Sequence, residues 1–210
     1  MFKDRFDAAH QLVQALKDYK NNKDVVIIAI PRGALEIGYV LAKELKASLD
    51  VLFSKKIGAP GQLELAIGAV SLDDILINAR AMGISVSDEY IQAETKKIRD
   101  LLQQREERYR KGKEPIPLAG KVVVVTDDGI ATGATLLMTL RMIKKQQPKK
   151  IVVAIPVAPP TAIEKIRKEV DEVICLIESE HFFGVGQFYE KFSQVEDEQA
   201  IELLEKANAL

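Results

Sequence analysis

Unbroken runs of aliphatic residues alternate with amphipathic stretches along most of this chain. VVIIAI (25–30), KVVVVT (121–126), KIVVAIPVA (150–158) and EVICLIE (172–178) show no polar face. That is the pattern of strands covered on both sides of a parallel sheet. Between them, helical spacing recurs. Phe6, Ala9, Leu12, Val13 and Leu16 predict an amphipathic helix over 5–20, and 34–47 and 134–146 follow the same period. LDVLFSKKIG (49–58) reads as a second strand, completing a βαβ unit with the first strand and the 34–47 helix. A long charged helix is expected from Ser87 to Lys111, capped by Ser87, with Asp88 and Glu89 in its first turn. TAIEKIRKEV opens with a capping-box pattern, Thr161 to Glu164.

Two stretches break the alternation. GAPGQLELA (58–66) has two Gly, a Pro and little period, so a loop is expected there, and IGAVSLDDILIN (67–78) reads as a short hairpin turning at Asp73 and Asp74. No tandem repeat or low-complexity linker divides the chain. The pattern therefore predicts an α/β fold with an open, mostly parallel sheet flanked by helices, and one domain over 1–210 carrying a flexible loop and hairpin at 57–80. In such sheets ligands gather outside the carboxyl ends of the strands.

Composition narrows the function classes. Thirty Lys and Arg against 31 Asp and Glu give a net charge of −1, so no global field favours nucleic acid or an acidic membrane surface. The longest apolar runs fall well short of the roughly 20 residues that span a bilayer. A charged N-terminus without an apolar signal core and a single cysteine point to a cytoplasmic protein. Cys175 lies in an apolar strand pattern and reads as a structural thiol.

The chemistry concentrates in VVVVTDDGIATGAT (122–135). Asp127 and Asp128 end a strand at the expected ligand edge, where two adjacent carboxylates are costly unless something binds them. GIATGAT, with hydroxyls at Thr132 and Thr135, can turn amide groups toward a phosphate at a helix N-terminus. A sugar phosphate satisfies both halves, with its hydroxyls on the acids and its phosphate in the loop. A Walker loop is excluded because no lysine follows the glycine, and a dinucleotide fingerprint because the glycine spacing is wrong.

A hydrophobic run, two acids and T-G-x-T resembles the signature of type I phosphoribosyltransferases, and the resemblance extends from about residue 25 to 196. It is strongest to the group whose acceptor is unassigned. It implies that Asp127 and Asp128 hold the ribose hydroxyls of 5-phosphoribosyl 1-pyrophosphate (PRPP). Gly129, Ile130, Ala131, Thr132 and Gly133, then Ala134 and Thr135, would hold the 5-phosphate. Mg2+ would be held near Asp127 and Asp128 through water. Gly129 departs from the usual aliphatic residue, and extra loop flexibility is expected from it. AIPRGALEIG (29–38) resembles the family's pyrophosphate loop, placing Gly33 against PRPP and Arg32 on the leaving phosphates. LFSKKIGAPGQLELAIGAV (52–70) resembles the strand and loop that close over the substrate. One of Lys55 and Lys56 should then face the site, since neighbours in a strand point to opposite faces. Glu64, in that loop, reads as a surface residue.

ESEHFFGVGQFYEKF (178–192) falls where the family carries a hood over the base, with 178–196 as the hood segment and Phe182, Phe183 and Tyr189 as stacking candidates. His181 and His10 are weak catalytic candidates. Hypoxanthine-guanine enzymes carry an Asp where this chain has Ala131, which disfavours a 6-oxopurine acceptor; adenine enzymes often read A-T-G there. The expectation is a PRPP- and Mg2+-dependent transferase acting on a nitrogenous base in nucleotide synthesis or salvage, with a homodimer as a family-level expectation. The alternatives are a PRPP-binding regulator without transferase activity and a sugar-phosphate hydrolase. Changing both aspartates to Asn is expected to abolish PRPP binding and leave the fold intact.

Overall fold

The β-branched runs become a five-stranded sheet in the computed structural model, which describes residues 1–79 and 82–209, the side chain of Glu64 excepted. In chain order its strands are β1 (Val25–Ala29), β2 (Ser48–Val51), β6 (Val122–Thr126), β7 (Lys150–Ala158) and β8 (Glu172–Glu178). They lie in the spatial order β2-β1-β6-β7-β8 and every pairing is parallel. β1 and β6 are buried at every residue, as their unrelieved apolar sequence requires. The expected α/β class with a mostly parallel sheet is what forms.

The described chain divides into two compact units. The first holds the parallel sheet, with Met1–Leu52, Ile116–Gly133 and Gln146–Leu210. Its helices are α1 (Arg5–Ala15), α2 (Ala34–Leu45), α5 (Pro160–Arg167) and α6 (Asp197–Ala207). α2 packs on β1 and β2, α6 packs on α2 and β2, α1 lies against α2, β7 and β8, and α5 covers β8. Leu12, Ile27, Leu35, Ile37, Leu41 and Leu49 are fully buried. α1 is shorter than the periodicity suggests, because a 3-10 turn (Lys17–Tyr19) replaces its last turn. The capping box at Thr161 does not form: α5 starts at Pro160 with Pro159 as its N-cap, two residues before the expected cap, so Thr161 is already inside the helix.

The second unit, Phe53–Pro115 and Ala134–Lys145, carries an antiparallel sheet of β3 (Ser54–Ala59), β4 (Gln62–Ser71) and β5 (Ile75–Ile77), with α3 (Asp88–Arg110) and α4 (Ala134–Lys145). Two expectations change here. The strand expected over 49–58 is two strands, β2 and β3, in different sheets. The loop expected over 58–66 is a hairpin: Ala59 pairs with Gln62, and Pro60 and Gly61 make the turn, with Gly61 at φ +75. Small residues hide these strands from a sequence reading. Gly58 faces the backbone of Leu63, and Gly68 the carbonyl of Leu76, so the close contacts leave no side chains to carry a period-2 signal. The hairpin turning at Asp73 and Asp74 forms between β4 and β5 as expected. Asp74 receives Arg141 at 2.8 Å and Lys145 at 2.9 Å, both from α4. Ser87 caps α3, accepting from Tyr90 N at 3.2 Å. Among the described residues no helix is long and apolar enough to cross a membrane.

Candidate active site

The strand order reverses between β1 and β6: the chain runs outward from β1 to β2, then from β6 to β7 and β8 on the other side. Open α/β sheets bind ligands at such a switch point, outside the carboxyl ends of the two strands. Both loops singled out by the sequence emerge there. Ala29, the last residue of β1, is in register with Thr126, the last of β6, and Ile30 N donates to Thr126 O at 3.2 Å. The two chains thus leave the sheet side by side, which brings Gly33 onto the acid pair. A methyl group at Gly33 would collide with Asp128 Oδ2 and lie 2.9 Å from Arg5 Nε. Only a glycine lets the backbone come this close.

Arg5 is the residue the sequence does not point to. It sits in the first turn of α1, 5% exposed, and its guanidinium is spent on three segments. Nε donates to Asp128 Oδ2 at 2.8 Å, and Nη1 donates to Glu36 Oε2 at 3.3 Å and to Ser193 O at 2.9 Å. The Phe192 ring lies beneath it, 4.0 Å from the guanidinium carbon to the centroid. Asp128 is gripped from its backbone as well, since Tyr189 donates its hydroxyl to the Asp128 carbonyl at 2.6 Å. Asp127 Oδ1 accepts from Asp128 N at 2.8 Å.

One buried cation thus faces two carboxylates, with a third, Asp127, beside them. Burial drives the Asp127 carboxyl well above the usual carboxylate range, and the neighbouring Asp128 charge pushes the same way. Burial raises Asp128 as well, opposed by Arg5. Glu36 is raised by burial against the same opposing guanidinium. Three carboxyls share one guanidinium here, so ionising all of them is disfavoured unless a cation or hydroxyl donors join the site.

The loop after the acid pair is less free than its composition implies. Ile130 is buried, and its amide is taken by the Val157 carbonyl at 2.9 Å, so it anchors the loop and cannot donate to a phosphate. Gly129 is packed. A Cβ there would lie 2.6 Å from Val185 Cγ1 and 2.8 Å from Val157 Cγ1. The flexibility expected from Gly129 is therefore corrected: Val185 and Val157 already fill the space that an aliphatic residue at 129 would occupy. Ala131 and Thr132 are the exposed part of the loop, and Gly133 is buried with φ +80. Ala134 and Thr135 open α4 in the second unit, where the Thr135 carbonyl accepts from Thr139 Oγ1 at 3.1 Å and Ser54 Oγ at 3.3 Å.

The sequence profile of the phosphoribosyl transferase domain matches residues 3–193. The chain belongs to that family. Two Mycobacterium tuberculosis proteins named as candidate phosphoribosyl transferases, Rv0571c of strain H37Rv and MT0597 of strain CDC 1551, are each 37% identical to it over 210 residues. The match covers 99% of this chain and 47% of each of theirs, so the chain spans about half the length of the curated relatives it matches. The crystal structure of TT1426 from Thermus thermophilus is 34% identical, with a TM-score of 0.83 and 98% of both chains covered.

In this phosphoribosyl transferase domain the remaining sequence candidates are scattered. Arg32, joined to Pro31 by a cis peptide, pairs with Glu196 Oε2 at 3.4 Å, at the N-terminus of α6. Lys55 and Lys56 are consecutive on β3 in the second unit, opposite Val70 and Ala69, with Lys55 exposed and Lys56 half-buried. Tyr189 is no stacking surface for a base: it is 5% exposed, packed on Phe2 and Phe192, and its hydroxyl is committed to Asp128. Phe182 packs against Phe188, whereas Phe183 is 93% exposed at the tip of a turn. Gln187 fixes that turn, its Oε1 accepting from Phe183 N at 2.7 Å and its Nε2 donating to His181 O at 2.6 Å. His10 and His181 are both exposed. Cys175 is half-buried on β8, and burial pushes its thiol up to about 11, which suits a structural residue. The side chain of Glu64 lies outside the described residues.

The two aspartates are not equivalent: one accepts from a backbone amide, the other from Arg5. Asn at 127 keeps the oxygen that accepts from Asp128 N and removes a charge that burial disfavours. A carboxyl whose folded pKa is raised costs stability above that pKa, and the cost vanishes as pH falls toward the ordinary carboxylate value. Asp127→Asn is therefore expected to raise Tm at pH 8, with the gain disappearing near pH 4. Asp128→Ala leaves buried Arg5 Nε without its acceptor and should lower stability by about 1–3 kcal/mol. Melting curves of both variants across pH check this, and a lower Tm for Asp127→Asn at pH 8 contradicts it. Gly129→Ala should cost about 1–3 kcal/mol by overpacking, and Val185→Ala in the same chain should recover most of that. Equal destabilisation with and without the second change would show that Val185 is not the obstacle.

Proposed function

We propose that this domain binds PRPP with Mg2+ and transfers its phosphoribosyl group to a nitrogenous base, releasing pyrophosphate. The observation that carries the proposal is the acid pair at the β1/β6 switch point, with Gly33 of the preceding loop laid directly on Asp128. Arg5 holds Asp128 Oδ2 and the Asp128 amide holds Asp127 Oδ1, so the other oxygen of each acid would take the two ribose hydroxyls. The exposed Ala131–Thr132 tip and the Thr132 hydroxyl would receive the 5-phosphate. The 30–33 loop would meet the pyrophosphate, with Arg32 released from its exposed pairing to Glu196.

Hard carboxylate oxygens suit Mg2+, and a cation beside the acid pair would favour its ionised form. Among the described residues no group of three or more His, Cys, Asp and Glu could hold a metal. Mg2+ beside Asp127 and Asp128 would share substrate oxygens and keep waters of its own. Bound there, it would neutralise charge on the departing pyrophosphate.

The reaction breaks the bond between the anomeric carbon and the pyrophosphate oxygen and forms one to a base nitrogen, whose proton is released. The protein's own part is to fix the ribose through the acids, hold the phosphates and exclude water. The residues for this are all in the first unit; Lys55, Lys56 and Thr135 stand in the second.

Calorimetric titration of PRPP with and without Mg2+ tests the proposal, followed by a screen of bases for pyrophosphate release. Mg2+-dependent binding is expected, weakened about tenfold or more in Asp127→Asn, the loss of a hydrogen bond to a charged group. Binding without turnover on any base would leave a PRPP sensor, and no binding in either condition would overturn the site.

A further inference from the structure

Arg5 and Asp128 are 123 residues apart in sequence, yet their contact decides which oxygens the acid pair can offer. A free aspartate has two equivalent oxygens and can turn about its last bond to follow a ligand. Asp128 cannot. Arg5 Nε holds Oδ2 at 2.8 Å, the Gly33 backbone covers the same oxygen, and Tyr189 pins the backbone carbonyl. The guanidinium is itself fixed, by Glu36, by the Ser193 carbonyl and by the Phe192 ring. A guanidinium restrained at this many points keeps its one N–H on Oδ2 in place, and turning the carboxylate would break that contact and drive Oδ2 against Gly33. Asp127 is restricted in the same sense, with Oδ1 on the Asp128 amide. One oxygen of each acid is left, Asp128 Oδ1 and Asp127 Oδ2.

We infer that Arg5 is a specificity-determining positioning residue, which makes the acid pair a reader of two neighbouring hydroxyls, one on each carboxylate, and so selects a ribose 5-phosphate over its 2-deoxy counterpart. The inference rests on the sugar-phosphate reading of the site. A ligand with one hydroxyl leaves one desolvated carboxylate oxygen without a donor, and the fixed Asp128 cannot turn to compensate. Lysine at position 5 keeps the charge but lacks the Nε–H fixed by the Glu36 and Ser193 contacts, so Asp128 regains its rotation and the demand for the second hydroxyl relaxes.

The test is calorimetric titration of the intact protein with ribose 5-phosphate and with 2-deoxyribose 5-phosphate, for wild type and Arg5→Lys. Melting curves establish that the variant is folded, and Arg5→Gln takes its place if it is not. Wild type is expected to prefer the ribose form about tenfold or more. Arg5→Lys is expected to bind both more weakly and to bring the ratio to within about threefold. A purely structural role for Arg5 would weaken both ligands equally and leave the ratio unchanged; that result overturns the inference and leaves the sugar-phosphate reading standing. A wild-type ratio near one overturns the inference whatever the variants do. Failure of wild type to bind either ligand overturns the sugar-phosphate reading and the inference together.

Discussion

A buried guanidinium holds the functional end of this molecule together. Arg5 ties the first turn of α1 to the end of β6, to the first turn of α2 and to the segment before α6, and it does so at 5% exposure. Taking a charge out of water is expensive, so an arginine in this position persists only if its partners hold it with good geometry. Its partners are carboxylates that are themselves disfavoured by burial. The arrangement is mutual: Arg5 makes the acids tolerable, and the acids make Arg5 tolerable. Removing one member leaves the others less compensated in the interior, which costs more than the contact itself contributes.

The sheet supplies the place for this cluster. Parallel strands leave the sheet at one edge, and the reversal of order between β1 and β6 opens a crevice that the loops of both strands line. Register then does the rest. Because Ala29 and Thr126 are partners, the residues four and two positions further on, Gly33 and Asp128, meet with no side chain on the glycine to separate them. Behind them, Val185 and Val157 close on Gly129, and the Val157 carbonyl takes the Ile130 amide. The acid pair is thus clamped on both sides by packed structure, and the part left to move is the short exposed tip at Ala131 and Thr132.

What is legible in the sequence follows the range over which each signal acts. VVVVT announces a buried strand in five consecutive residues, and the acids that follow announce a ligand edge, so the fold class and the motif can both be read locally. Arg5 cannot. On an amphipathic helix with Phe6, Ala9 and Leu12, a lone arginine looks like part of the wet face, and its partners lie 31, 123 and 188 residues away. Tyr189 stands out in the sequence for its ring, whereas its hydroxyl and its packing are what matter. Gly129 reads as a flexible point because the side chains that fill its space come from Val157 and Val185, which nothing local connects to it. The β3–β4 hairpin escapes the pattern because glycines and alanines pack backbone against backbone there and carry no hydrophobic period.

The most direct measurement is a crystal structure of the domain with ribose 5-phosphate bound. One ring hydroxyl is expected on Asp127 Oδ2, its neighbour on Asp128 Oδ1, and Arg5 still on Asp128 Oδ2 as it is without ligand. A sugar bound elsewhere, or bound here with Arg5 swung away and both Asp128 oxygens on the ligand, would contradict it.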